Sequence, residues 1–185
     1  MSRNIYQLYE EGTAKERAEL IYSNFDSFAG ILEDYKARLI YEIQAEEQFW
    51  RCHNRDELGV RIQNLGNYDD PTAQEVLDRI SLEKSFEGTE QIELSDQIGS
   101  ERKRILRRKH HVLIIMGEEY CLFDKHLRTL RLTDQNLIIP YLRRTKDYCQ
   151  MAEENRVSEG SIRQRIYRIH KLLIEDMTGY FIEKI

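Results

Sequence analysis

Between residues 14 and 50 the chain reads AKERAELIYSNFDSFAGILEDYKARLIYEIQAEEQFW, with apolar residues recurring at Leu20, Ile21, Phe25, Phe28, Ile31, Leu32, Tyr35, Leu39, Ile40 and Ile43. Steps of three and four residues return a side chain to one side of a helix, so this pattern predicts an amphipathic helix. Thr13 followed by Glu16 fits a capping box at its start. Gly30 and the polar stretch Ser23–Asp26 leave two forms open: one long helix, or two joined near that stretch.

The pattern changes after residue 50. In GVRIQNLG, residues 59–66, Val60, Ile62 and Leu65 alternate with polar residues between two glycines, which reads as a short strand or an extended segment on helices. Asp70–Pro71 then opens a helix, because aspartate caps well and proline's missing N–H costs nothing at the first helical position. Ala73, Val76, Leu77 and Ile80 give that helix its apolar side. Residues 87–100, EGTEQIELSDQIGS, are the candidate linker. Helical spacing resumes over 101–131, where Ile105, Leu106, Val112, Leu113, Ile115 and Met116 support a helix that Gly117 can interrupt. Three shorter helices are predicted over 132–175, capped by Thr133, Thr145 and Ser158, with Pro140 expected to kink or shorten the first.

Composition agrees with an all-α chain of two parts. Only two prolines and nine glycines occur in 185 residues, against 33% charged and 41% hydrophobic residues. No apolar run approaches the roughly 20 residues that span a bilayer. The start, MSRNIYQLYEEG, has neither an apolar core nor a cleavage site, so no signal peptide, no membrane partner and a cytoplasmic location are expected. Cys52, Cys121 and Cys149 are odd in number and far apart, which fits a reducing compartment better than a disulfide framework.

Charge is distributed unevenly. Residues 1–100 hold 10 Lys and Arg against 21 Asp and Glu, whereas residues 101–171 hold 17 against 9. An acidic front and a basic back suggest surfaces with different partners, and a basic half suits a polyanion. The expected division is therefore an acidic helical module over 1–95, a bundle-like part that oligomerises or contacts RNA polymerase, and a basic helical module over 100–185.

The last two predicted helices carry the functional expectation. A helix from about Lys146 to Glu154, a turn at Asn155–Val157 and a helix after Ser158 give the outline of a helix-turn-helix over about 146–173. Tyr148, Met151 and Ala152 are placed to face the second helix, Val157 to fill the turn, and Ile162, Ile166 and Ile169 to point inward. The outward set is then Glu159, Ser161, Arg163, Gln164, Arg165 and Arg168. Guanidinium groups reach guanine edges or phosphates, and glutamine pairs with adenine. Glu159, Ser161, Arg163 and Gln164 are the candidates for base edges; Arg165 and Arg168 are the candidates for phosphates. Ser158 and the first amides of the helix can hold a phosphate, and Lys146 completes the candidate DNA-binding set.

This pattern resembles region four of bacterial sigma factors. Met151–Ala152 takes the place of Ile-Ala, Val157–Ser158 that of Val/Ile–Ser/Thr, and Ile162–Arg163–Gln164 that of Ile-Arg-Gln; Leu132–Thr133 stands at the start of the preceding support helix. The segment GVRIQNLGNYDDPTAQEVLDR is similar to a block of the ArpU/RinA-type phage late-transcription regulators. That likeness implies a phage or prophage activator that binds double-stranded promoter DNA and works with host RNA polymerase. Glu159–Gly160 departs from the basic-acidic pair of primary sigma factors, so the expected target differs from the ordinary upstream promoter element. No promoter-melting region two is recognisable, which favours an activator over a complete sigma factor.

Other chemistry finds less footing. Cys52–His53 lack a further ligand at zinc spacing, and His110, His111, His126 and His170 are scattered, so no metal is expected. There is no phosphate loop, nucleophile motif or paired acid and base, so neither a cofactor nor enzyme activity is expected. The run ERKRILRRKHH, 101–111, reads equally as an accessory phosphate-binding helix or a solvated face. Phe25, Phe28, Tyr35, Tyr41, Phe49 and Trp50 read as core. Two alternatives remain beside the activator: a stand-alone sigma-like subunit, and a small terminase-like packaging protein, which also joins a helix-turn-helix to an oligomerising part.

Overall fold

The computed structural model describes residues 5–57 and 92–181, with side chains described outside 51–57. The described residues form seven α-helices and no strand: α1 (Ile5–Glu11), α2 (Ala14–Asn24), α3 (Phe28–Glu57), α4 (Ser100–Leu127), α5 (Leu132–Leu142), α6 (Tyr148–Asn155) and α7 (Glu159–Tyr180). The all-α expectation therefore holds for them. The alternating segment 59–66 and the helix expected after Pro71 lie outside the described residues.

Of the two forms open for residues 14–50, the chain takes the broken one. Thr13 caps α2 with the expected box: its hydroxyl accepts from the Glu16 N–H at 3.3 Å, and its own N–H donates to the Glu16 carboxylate at 2.7 Å. Burial and hydrogen bonding explain the break. Phe25 and Phe28 are both buried, the Asn24 side chain donates to the Leu20 carbonyl at 2.8 Å, and the Ser27 hydroxyl donates to the Asn24 carbonyl at 3.2 Å. Gly30 lies inside α3 and Gly117 inside α4. A helical glycine costs about 1 kcal/mol relative to alanine, too little to break helices of this length.

The chain divides into two compact units, one of Met1–Leu32 with Ile115–Ile185, the other of Glu33–Ile114. This differs from a division near residue 95, because the first helices group with the last. α7 buries Ile162, Ile166, Ile169, Leu173, Ile174 and Met177, a stripe longer than α5 and α6 can cover. Its neighbours include α2 as well as those two, and α2 offers the buried Ala14, Ala18 and Ile21. Small alanines permit close approach, so helix spacing suits the isoleucine-rich stripe.

The first unit also holds an aromatic cluster in which Phe28 stacks on Tyr120 at 5.1 Å between centroids and Phe25 meets Tyr120 at 5.5 Å and Phe123 at 5.8 Å. An ion pair is buried beside it. Arg17 of α2 forks onto Glu119 of α4, Nε to Oε2 at 2.9 Å and Nη2 to Oε1 at 2.8 Å, and gives Nη1 to the Gly12 carbonyl at 3.0 Å. The Tyr9 hydroxyl donates to the same carboxylate. Burial, then the Glu119 charge, push the Tyr9 phenol well above its ordinary range, so it stays a donor. Nothing in the hydrophobic periodicity announces this staple: Arg17 stands in a run of charged residues and is nonetheless fully buried.

In the second unit Leu39, Ile43, Ile92, Leu94, Ile98 and Leu106 form one core, with Trp50 packed against it. Residues 92–99, expected within a linker, are irregular but bury three of these side chains. They are a packed connection instead of a solvated hinge. The run 101–111 meets acidic residues of the same unit. Arg102 bonds Glu42 at 2.7 Å and Glu46 at 2.6 Å, Lys109 bonds Glu42 at 2.7 Å, and Lys103 bonds Asp96 at 3.1 Å. Part of the acidic front and basic back thus neutralise each other. Tyr41 and Phe49, read as core, are exposed, at 74% and 51%. No helix among the described residues is long and apolar enough to cross a membrane.

Candidate nucleic-acid interface

α5, α6 and α7 position the residues singled out in the sequence. The expected cap at Thr133 is absent: α5 begins at Leu132 behind Arg131, which makes no side-chain cap. The Gln135 side chain instead donates to the carbonyls of Arg128 at 2.9 Å and Leu130 at 2.7 Å, holding the turn that leads into the helix. Pro140, expected to kink or shorten the helix, lies inside it, and the helix ends two residues later at Leu142. Thr145 serves that end, its hydroxyl donating to the Pro140 carbonyl at 3.2 Å, and so does not cap α6. Asp147 caps α6, accepting from the Gln150 N–H at 2.8 Å while Gln150 accepts from the Asp147 N–H at 3.1 Å. Aspartate and glutamine at this spacing make a reciprocal capping box, which Thr145 does not make here.

The turn between α6 and α7 is closed by its backbone. The Val157 N–H donates to the Ala152 carbonyl at 3.1 Å and the Arg156 N–H to the Glu153 carbonyl at 3.2 Å, the paired bonds of a Schellman ending. Such an ending needs a left-handed residue, and Arg156 supplies it at φ 55°. Arg144 does the same after α5, at φ 52°. Val157, expected to fill the turn, is 46% exposed, because the hydrogen bonds and not a side chain hold the turn. Ser158 caps α7 as expected, accepting from the Ser161 N–H at 3.2 Å, and its hydroxyl lies 3.0 Å from that of Ser161.

The inward set matches expectation: Met151, Ala152, Ile162, Ile166 and Ile169 are buried. The outward set separates into two kinds. Arg165 is half-buried and turns to α5, where Nε and Nη2 meet Asp134 Oδ1 at 3.1 and 2.8 Å; it ties α7 to α5. Lys146 is held by Glu154 at 2.6 Å. Glu159, Ser161, Arg163, Gln164 and Arg168 are exposed. Gln164 and Arg168, with Arg144, Arg156 and Lys171 nearby in sequence, make no side-chain hydrogen bond or ion pair among the described residues.

Arg163 is exposed yet held on two sides. Its Nη2 lies 3.1 Å from Glu159 Oε2, and its guanidinium carbon lies 5.1 Å from the centre of the Tyr148 ring. Tyr148 in turn meets Tyr141 of α5 at 5.3 Å. Burial, then the Tyr141 hydroxyl, push the Tyr148 phenol up to about 12, so the ring is neutral at ordinary pH. The sequence placed Tyr148 in the helix contact but gave no sign of this ring and guanidinium arrangement, since ring geometry depends on how three helices meet.

Among the described residues no three His, Cys, Asp or Glu are grouped to hold a metal ion. The side chains of Cys52 and His53 lie outside the described ones. No protein-family model matches the chain, and neither the curated proteins nor the solved structures provide a match.

Proposed function

We propose that this chain is a sequence-specific DNA-binding regulator whose α6, turn and α7 act as a helix-turn-helix. One observation carries the reading: α7 buries an isoleucine stripe against its neighbours while its first turns expose Glu159, Ser161, Arg163, Gln164 and Arg168. An exposed row of long polar side chains at the start of a supported helix is what a major groove accepts. Arg144, Arg156 and Arg168, which make no side-chain ion pair among the described residues, suit phosphates, which supply affinity without reading sequence. Arg165 and Lys146 stand behind this set, the first as a tie to α5.

The narrower reading is a phage or prophage late-gene activator acting with host RNA polymerase, and it rests on the resemblance of the helix-turn-helix segment and of GVRIQNLGNYDDPTAQEVLDR to such regulators. Selecting bound duplexes from a random pool tests the DNA reading. Wild type should enrich a defined site, and Arg163→Ala should lose preference at one position. The same site bound with the same affinity by the variant would refute the assignment of α7. Transcription with purified core polymerase then separates an activator, which needs a sigma factor present, from a stand-alone sigma-like subunit.

A further inference from the structure

We infer that Glu159 and Arg163, steadied by the tilted Tyr148–Tyr141 ring pair, read a single G·C base pair as one unit; this rests on the DNA-binding reading above. Its basis is that the three helices each contribute to the placement of one exposed guanidinium. Tyr141 comes from α5, Tyr148 from α6, and Glu159 and Arg163 from α7. The Arg163 side chain is 62% exposed and that of Glu159 46%, so the pair is held without being hidden.

The chemistry of the pair selects the base pair. Guanine presents two acceptors in the major groove, N7 and O6, and cytosine beside them presents one donor, its N4 amino group. The guanidinium offers donors beyond the Nη2 bond to Glu159, and the carboxylate keeps its second oxygen, Oε1, as an acceptor. Donor, donor, acceptor thus faces acceptor, acceptor, donor. An A·T pair presents acceptor, donor, acceptor and would set the adenine amino group against the guanidinium. Tyr148 is a positioning residue: its ring face limits the guanidinium's rotation, so less freedom is lost when it engages a base. Glu159 also guards against indiscriminate binding, since its charge opposes any phosphate brought close to Arg163.

The test repeats the random-duplex selection with full-length wild type, Tyr148→Phe, Tyr148→Leu and Glu159→Ala, with thermal melting of each variant by circular dichroism. Wild type should enrich a site with one dominant G·C pair, and Tyr148→Phe, which keeps the ring face, should retain it. Tyr148→Leu and Glu159→Ala should each lose about tenfold of the discrimination against A·T at that position, with preferences elsewhere in the site retained. If Tyr148→Leu fails to fold, Glu159→Ala decides alone, because its side chain is exposed and packs in no core. A site found by wild type and read unchanged by Glu159→Ala, or by a folded Tyr148→Leu, overturns this inference and leaves the DNA reading standing. Wild type that enriches no site overturns both.

Discussion

Arg156 and Arg144 show how a residue's backbone can differ from what its side chain suggests. Both adopt the left-handed conformation that ends a helix and that glycine takes most easily. For a side-chain-bearing residue the left-handed region costs about 1–2 kcal/mol, partly offset by the extra freedom glycine has when unfolded. Arg156→Gly should therefore stabilise the protein by about 0.5–1 kcal/mol, read as a higher urea midpoint at an unchanged slope. A lower midpoint would mean that the arginine side chain holds the turn in a way its geometry does not show. Arg17 and Glu119 make the opposite case. Removing one member of a buried ion pair strands the other, at about 3–5 kcal/mol. Arg17→Met should be destabilised by that order, and adding Glu119→Leu should restore much of the loss. A single variant as stable as wild type would remove the staple from the account. Neither feature was visible in the sequence. Left-handed arginines and a buried arginine obey no periodicity; they depend on chain reversals and on a carboxylate 102 residues away.

At the scale of elements, the sequence spoke most clearly where one local rule acted alone. Thr13–Glu16, Ser158 and the inward isoleucines were legible because each needs only its own helix. The starts of α5 and α6 were not: α5 begins behind Arg131 with no side-chain cap, and Asp147 with Gln150 caps α6 in place of Thr145. Thr13→Ala should cost about 1 kcal/mol by losing a reciprocal cap, measurable by thermal melting. α4 carries a second test. His110 is buried, and burial, then the neighbouring His111, hold its imidazole below the ordinary value of 6.5. The folded state thus prefers the neutral ring and binds fewer protons than the unfolded chain just below that pH. Its contribution is complete above about 6.5 and is lost as pH falls from there. Urea stability should decline as pH drops below 6.5, and His110→Leu should flatten that part of the profile. An unchanged profile in the variant would assign the decline to other groups.

For the whole molecule, part of the acidic front and part of the basic back meet within the second unit. Charge tallies along a chain ignore which residues meet. Glu42 and Glu46 of the acidic half answer Arg102 and Lys109 of the basic half. Only part of the basic excess is therefore left for a polyanion, and among the described residues it includes Arg144, Arg156, Arg168 and Lys171 around α6 and α7. The measurement that tests the central claim most directly is a salt titration of the full chain's affinity for duplex DNA, repeated with Arg168→Ala. The account predicts that log K falls linearly with log salt, and that the variant's slope is shallower by about one released counterion. No binding, binding indifferent to salt, or an unchanged slope in the variant would contradict it.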